Sequence, residues 1–223
     1  ASNTGWGLWL LPIGFVASAL LVQYLAPSAE GHGTEKVIQA VHKRAGRIKL
    51  RVVPVKALAT MITLGVGGSA GKEGPAAQIG AGLASFFAQL FRLSPSDRRK
   101  LVICGISAGF AAVFGTPVAG AIFGIEVLVI GSVLYEVLMP SLVAGMTAYH
   151  TAKLLGVHYE AFGLMTSPSF SEQLVLEVAA AGIFFGVVAF LFIEIMHLMD
   201  EGTRHTPMPL PLKALVGGLL LAG

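Results

Sequence analysis

Residues 68–75 combine the residue types that an anion site in an apolar environment requires. The segment reads Gly-Ser-Ala-Gly-Lys-Glu-Gly-Pro and is flanked by apolar sequence. Pro75 predicts the first turn of a helix, because its fixed φ and missing N–H do no harm there. A helix N-terminus carries unpaired N–H groups and the positive end of the helix dipole, so it attracts anions. Several such dipoles can hold a dehydrated halide without binding it as tightly as a lysine would.

Glu73 stands at the start of this predicted helix and is itself an anion. Its carboxylate can occupy the position that a halide would take, and protonation would release it, so Glu73 is a candidate gate or proton carrier. The alternative is structural, with Glu73 capping the helix and pairing with Lys72 or Lys56. Ionisable residues within a membrane are functional candidates by default, but acidic residues in a first turn are also ordinary. The spacing alone leaves both interpretations open.

The composition indicates that lipid surrounds most of the chain. Of the 223 residues, 55% are hydrophobic and only 12% are charged, whereas a soluble domain carries about 25% charged residues. This deficit excludes a disordered chain, a nucleic-acid-binding arm and an ordinary soluble enzyme. The 28 glycines are typical of transmembrane helices whose backbones approach closely. Cys104 is the single cysteine, which allows no internal disulfide.

Apolar segments long enough to cross a bilayer recur along the chain. A spanning helix needs about 20 residues, and apolar stretches of that order lie at residues 6–26, 52–79, 101–134, 137–157 and 174–199, with another opening at Leu210. Seven of the 15 basic residues lie between Lys36 and Lys56, which favours a cytoplasmic loop, although a solvated loop on either side is the alternative. The turn before this loop predicts that His32 or Thr34 caps a short helix through Val41.

Two of the apolar stretches are interrupted. The glycine-rich run 65–71 breaks the second stretch, and such a break is tolerated at membrane depth only where it is buried in protein or lines a cavity. Gly115-Thr116-Pro117 divides residues 101–134 into two half-length helices. The pairs Gly105/Gly109 and Gly120/Gly124 have the spacing of tight helix crossings. These features predict an all-α membrane protein with interrupted helices.

The chain begins with Ala rather than Met and stops inside an apolar run. A helix usually ends with a polar flank or cap. We therefore expect residues 1–223 to be a single transmembrane domain that is incomplete at both ends.

Two motifs resemble signatures of the CLC family of chloride channels and transporters. Residues 71–80 read Gly-Lys-Glu-Gly-Pro-Ala-Ala-Gln-Ile-Gly and resemble the signature G-[K/R]-E-G-P-x-x-Q-x-G. Residues 105–126, from Gly-Ile-Ser-Ala-Gly-Phe to Phe-Gly-Ile-Glu, resemble the next signature at a similar separation. The resemblance implies a bundle of tilted, interrupted helices, of which this chain is about the first half. It also implies a homodimer with a separate pore in each subunit.

The resemblance implies roles for individual residues. Glu73 matches the external gating glutamate, and Lys56 matches a basic residue buried near the pore. The turn at residues 31–33 aligns with the Gly-Ser-Gly whose hydroxyl and following helix start contact the central anion. The expected anion-binding residues in this turn and around Glu73 are Gly31, His32, Gly33, Lys72, Gly74 and Pro75.

Two positions depart from the family pattern. His32 stands where a serine is usual, and its imidazole can donate to a halide but can also titrate near neutral pH. Val127 stands where proton-coupled exchangers of the family usually carry a second glutamate as internal proton relay. Glu126 aligns with the neighbouring glutamate and is expected to have a packing or pairing role. Both residues are expected near the pore.

These observations predict voltage- or pH-gated, channel-like transport of chloride or a similar anion, with Glu73 as the gate. The alternative is a proton-coupled anion antiporter with a non-standard internal proton route. A third option, a membrane-embedded enzyme, would need Glu73, His32 and Glu35 to converge around one cavity. We expect a multi-pass membrane protein, in the inner membrane if bacterial, with chloride, lipid and a second copy as partners. We expect no enzymatic activity, metal, cofactor or nucleic-acid partner.

Overall fold

The computed structural model describes residues 4–127, 135–159 and 171–222. These residues form α-helices and one 3₁₀ turn, without a strand, which confirms the predicted all-α class. The nine helices in the described ranges are α1 (Thr4–Leu25), α2 (Thr34–Lys43), α3 (Val52–Gly65), α4 (Glu73–Leu90), α5 (Pro95–Phe114), α6 (Pro117–Glu126), α7 (Tyr135–Leu154), α8 (Glu172–His205) and α9 (Leu210–Ala222).

The helices belong to two compact units. The first unit contains α1–α7 and α9, and the second contains α8. Within the first unit, α5 packs against α4, α6 and α7, while α1 packs against α3 and α9. Among the described helices, α8 alone is both long and apolar enough to cross a bilayer by itself, over Glu172–Thr203. Shorter apolar helices lie in α1, α3, α6 and α9.

Both predicted helix breaks are confirmed. The first lies between Gly65, where α3 ends, and Glu73, where α4 begins. The second lies at Gly115, which caps α5 with a φ of 70°, a conformation that favours glycine. Pro117 then opens α6. Residues 128–134, at the end of the predicted stretch, lie outside the described residues.

The start of α5 differs from the prediction. The helix begins at Pro95 and includes the polar residues 95–100, ahead of the apolar stretch from residue 101 that was expected to form it. Ser94 caps it, because its hydroxyl accepts a hydrogen bond from Asp97 N at 3.1 Å. Pro95 fits the first turn, where the missing N–H has no cost. A local capping motif thus extends the helix beyond its apolar part.

Small residues allow α4, α5 and α6 to pack backbone against backbone. A Cβ on Gly105 would lie 2.9 Å from the Gly80 carbonyl carbon, and one on Gly109 would lie equally close to the Ala76 carbonyl carbon. On the other side of α5, a Cβ on Gly120 would lie 2.8 Å from Ser107 O. The predicted tight crossings at these glycines are therefore confirmed.

Ser85 of α4 anchors the connection between α2 and α3. Its buried hydroxyl donates to Gly46 O at 2.6 Å and accepts from Ile48 N at 2.9 Å. Gln89 Nε2 donates to the same hydroxyl at 3.1 Å. Ser85 therefore ties the basic loop to α4, and Arg98 of α5 adds a second tie, because its Nε donates to Ala45 O at 2.7 Å.

We expect Ser85→Ala to lower the free energy of unfolding by about 1–3 kcal/mol, because the backbone groups of Gly46 and Ile48 lose a buried partner. Thermal unfolding in detergent measures the effect. Ser107→Ala is the matched control, since its buried hydroxyl donates only to Ile103 O one turn earlier in the same helix. Equal losses in the two variants would contradict the anchoring role.

Candidate functional site

The predicted anion-binding segments converge on one cavity. Its volume is about 690 Å³, and its walls come from α1, α3, α9, the turn before α2 and the break before α4. The residues singled out from the sequence that line it are Gly31, His32, Lys56, Glu73, Gly74 and Pro75. The structure thus brings together two segments that are about 40 positions apart in the chain.

The starts of α2 and α4 lie against each other. A Cβ on Gly33 would lie 2.8 Å from Gly74 O, and a Cβ on Gly74 would collide with His32 O. Gly33 also has a φ of 98°, which favours glycine. Only residues without a side chain permit this approach of the two backbones.

Neither helix start is capped by a side chain. The N-cap of α2 is Gly33 and that of α4 is Lys72, and no side chain among the described residues accepts a hydrogen bond there. The expectation that His32 or Thr34 caps α2 is therefore wrong, because the close contact with Gly74 puts a glycine at the cap. The first N–H groups of a helix have no partner within it. Two adjacent helix starts therefore present free N–H groups and positive dipole ends.

The Glu73 side chain is exposed and folds back over the unwound backbone of Gly71. Its Oε2 lies where a Cβ would stand if residue 71 were not glycine. Among the described residues it forms no ion pair with Lys72 or Lys56. The structural alternative required Glu73 to cap the helix and to pair with a lysine, and neither contact is present among the described residues. The carboxylate instead lies in the wall of the cavity.

Lys56 holds the turn that precedes α2. Its buried ammonium donates to Ala29 O at 3.0 Å and to Gly31 O at 2.6 Å. Carbonyl oxygens rather than a carboxylate therefore receive this charge. The cation lies in the cavity wall and fixes the backbone on which His32 stands.

We expect Lys56→Met to lower the free energy of unfolding by about 1.5–3 kcal/mol. The variant loses two hydrogen bonds from a charged group, and part of that loss is offset because the ammonium no longer has to be desolvated. Thermal unfolding in detergent measures it. Lys43→Met is the control, because Lys43 is exposed on α2. A loss no larger than that of the control would show that Lys56 does not hold the turn.

Four predicted site residues do not line this cavity: Gly33, Lys72, Glu126 and Val127. The Lys72 ammonium lies 5.2 Å from the centroid of the Phe114 ring. Glu126 ends α6, and Val127 packs against the buried cluster around Ile106. Because α6 packs against α5 and α7, its end belongs to another part of the bundle. The expected position of Glu126 and Val127 near a pore stays a prediction.

The residues of the enzyme alternative do not converge. Glu73 and His32 share the main cavity, whereas Glu35 lines a separate surface cavity with Lys36 and His42. General acid–base chemistry needs its groups within hydrogen-bond reach of one substrate. The geometry does not support the use of these three residues together.

Hydroxyl groups in the cavity wall were missed from the sequence. Ser18 of α1 lines the cavity with Thr60 and Thr63 of α3, and Thr63 Oγ1 lies 3.2 Å from Ser18 Oγ. Lys56, Thr60 and Thr63 follow the i, i+4, i+7 spacing that places side chains on one helix face. This polar stripe in an otherwise apolar helix was visible in the sequence.

Comparisons with known proteins agree on one family. A sequence model described as voltage gated chloride channel matches residues 13–223. A chloride/fluoride channel protein of Pseudomonas syringae pv. tomato is 36% identical over 217 residues, which are 97% of this chain and 48% of that protein. The chain spans about half the length of such relatives.

Two solved structures have a similar fold. The crystal structure of a CLC-type fluoride/proton antiporter matches with a TM-score of 0.87 and 32% identity, over 96% of this chain and 54% of that one. A slow cyanobacterial Cl⁻/H⁺ antiporter matches with a TM-score of 0.82 and 22% identity, over 97% and 51% of the two chains. The second likeness concerns the fold alone.

Proposed function

Because the chain belongs to the voltage-gated chloride channel family, the CLC family, we propose that it supplies an anion site to a membrane pathway that exchanges a halide for protons. The observation that carries this proposal is the meeting of two uncapped helix starts at one cavity, with the Glu73 carboxylate in its wall. Partial positive charges from peptide N–H groups attract an anion there without a fixed cation at the site centre.

In this proposal Glu73 competes with the halide. Its carboxylate is one residue before Gly74, whose backbone lies at the crossing of the two helix starts. When ionised, the carboxylate takes an anion's place near the free N–H groups. When protonated, it loses its attraction to the dipoles and leaves the place to the halide. One side chain thereby links proton binding to anion movement.

Antiport is preferred to the channel-like transport expected first. The support is the likeness to a fluoride/proton antiporter at 32% identity. Channel-like conduction is the second candidate, because Val127 is packed among apolar residues and carries no titratable group. A proton path through this protein therefore needs a residue other than Val127 on the internal side.

The proposed substrate is fluoride or chloride. The names of the relatives include both ions. The cavity offers peptide N–H groups, the hydroxyl of Thr60, and His32 in place of the usual serine. All of these are hydrogen-bond donors, which a small and strongly hydrated halide requires on losing its water.

We further propose that the complete protein is a multi-pass membrane protein, in the inner membrane if its source is bacterial, and a homodimer with this segment in each subunit. Its site would be completed by elements that the described residues do not include. The large exposed apolar residues of α8, such as Phe184, Phe190 and Leu198, fit contact with lipid or with other helices.

Reversal potentials across a pH gradient test the coupling. With the full-length protein in a planar bilayer and a chloride or fluoride gradient, we expect a reversal potential that departs from the Nernst potential of the anion and shifts with the proton gradient. A value equal to the anion's Nernst potential at every pH gradient would exclude antiport and leave the channel-like candidate. The ion that sustains the larger flux identifies the preferred substrate.

A further inference from the structure

A second cavity lies beside the basic loop that joins α2 to α3. Its volume is about 450 Å³, which falls in the range of about 300–1,000 Å³ that is typical of ligand pockets. The cavity is formed by α2, this loop, the turn at Pro27 and Ser28, and Gln78 and Gln89 of α4. It lies apart from Glu73 and His32, neither of which lines it.

Four cationic side chains line this basic cavity: Lys36, Arg44, Arg47 and Lys49. Among the described residues no carboxylate lines it, and none forms an ion pair with these four side chains. Four like charges around one cavity repel each other unless an anion joins them. The four side chains are exposed, and a negatively charged occupant would relieve their mutual repulsion.

The loop that carries these charges is held in place. Arg44 N and Gly46 N both donate to Ala40 O, at 3.0 and 2.9 Å, and close the end of α2. Ser85 ties Gly46 and Ile48 to α4. A fixed backbone lowers the entropy cost of gathering the side chains around a ligand.

Compensation of the α2 dipole does not account for the cluster. His42 and Lys43 already occupy the last turn of α2, where cations are favourable. Lys36 lies near the start of the same helix, where the dipole disfavours a cation. A bound anion would offset this unfavourable interaction between Lys36 and the helix dipole.

We propose that the basic cavity binds a phosphate-bearing ligand, either the headgroup of an anionic lipid or a soluble phosphate compound. Guanidinium groups bind phosphate oxygens through paired hydrogen bonds, and lysines add point charges. Basic pockets at the ends of membrane helices suit anionic lipid headgroups. This site is separate from the proposed halide pathway and does not depend on it.

Thermal unfolding of the full-length protein in detergent tests the proposal. One arm titrates inorganic pyrophosphate, and the other titrates short-chain phosphatidic acid, with short-chain phosphatidylcholine as the neutral comparison. We expect a saturable rise of the melting temperature in at least one arm. In the double variant Arg44→Gln/Arg47→Gln, the apparent Kd should rise at least about tenfold.

The control is the double variant Lys43→Gln/Arg51→Gln, which removes two exposed cations of the same segment that do not line the cavity. Its Kd should stay close to the unaltered value. If Arg44→Gln/Arg47→Gln does not fold, Lys36→Gln/Lys49→Gln replaces it with the same expected loss. A response in the lipid arm alone identifies a headgroup, and a response to pyrophosphate identifies a soluble ligand. No rise in either arm, or equal weakening in the control and cavity variants, would overturn the proposal.

Discussion

Glu73→Gln and Glu73→Ala are expected to make halide flux through the reconstituted protein independent of pH and to reduce coupled proton flux to the background of protein-free vesicles. Both changes remove the carboxylate that stands one residue before Gly74, at the crossing of the α2 and α4 starts, and in the wall of the cavity. Among the described residues, the other acidic side chain in the cavity wall is Glu30, before the turn. Without an anionic side chain to compete for the dipoles, the path stays open at every pH. Halide efflux and pH changes inside liposomes measure the two effects.

Glu35→Gln is the matched control for this experiment. Glu35 is an exposed carboxylate in the first turn of α2, as Glu73 is in the first turn of α4, but it lies outside the main cavity. The control should keep the flux and the pH profile of the unaltered protein. If both Glu73 variants also keep that rate and profile, Glu73 is neither gate nor proton carrier.

Among substitutions that add one methyl group to the site, Gly74→Ala should destabilise the protein most. Its Cβ would collide with the carbonyl oxygen of His32 and also come within 2.9 Å of the carbonyl carbon, and backbone cannot move aside as a flexible side chain can. Overpacking typically costs about 1–3 kcal/mol, and the upper end of that range or more is expected where backbone must shift. We therefore expect little folded protein, and loss of halide transport in whatever folds. Yield, thermal unfolding in detergent and liposome flux measure the outcome.

Gly65→Ala is the control, because a Cβ at the end of α3 has no atom within 4 Å outside its own helix. Alanine also favours helix by about 1 kcal/mol over glycine. This variant should therefore be as stable as the unaltered protein or more so. A Gly74→Ala variant that is equally stable would mean that the α2 and α4 starts do not touch, and the anion site would lose its basis.

The two predictions probe different parts of the same site. Glu73 variants keep the backbone and remove the competing charge, whereas Gly74→Ala keeps the charge and separates the helix starts. A protein that loses pH dependence with the first and all transport with the second has a site built from peptide dipoles and controlled by one acid. Lys56 belongs with the second group, because its bonds to Ala29 O and Gly31 O hold the turn.

Local features of the chain could be predicted because they depend on near neighbours. Pro75 and Pro117 restrict the backbone at helix starts, and Gly115 permits the left-handed turn that ends α5. The helix-crossing glycines follow from spacing within one helix. Where the prediction failed locally, as at the start of α5, a capping serine outweighed the polar character of residues 95–100.

The sequence by itself therefore determined the helix class, the two breaks and the residue types that suit an anion. The tertiary structure alone decided which segments meet: that Gly33 touches Gly74, that Lys56 bonds to the turn, and that Lys72 lies over Phe114 instead of in the cavity. Dihedral preferences act over a few residues and can be recognised in a short stretch of sequence. The contact of two backbones 41 positions apart depends on how whole helices pack. The hydrogen-bond acceptors of Lys56 are backbone carbonyls, which every residue type has, so the sequence does not single them out.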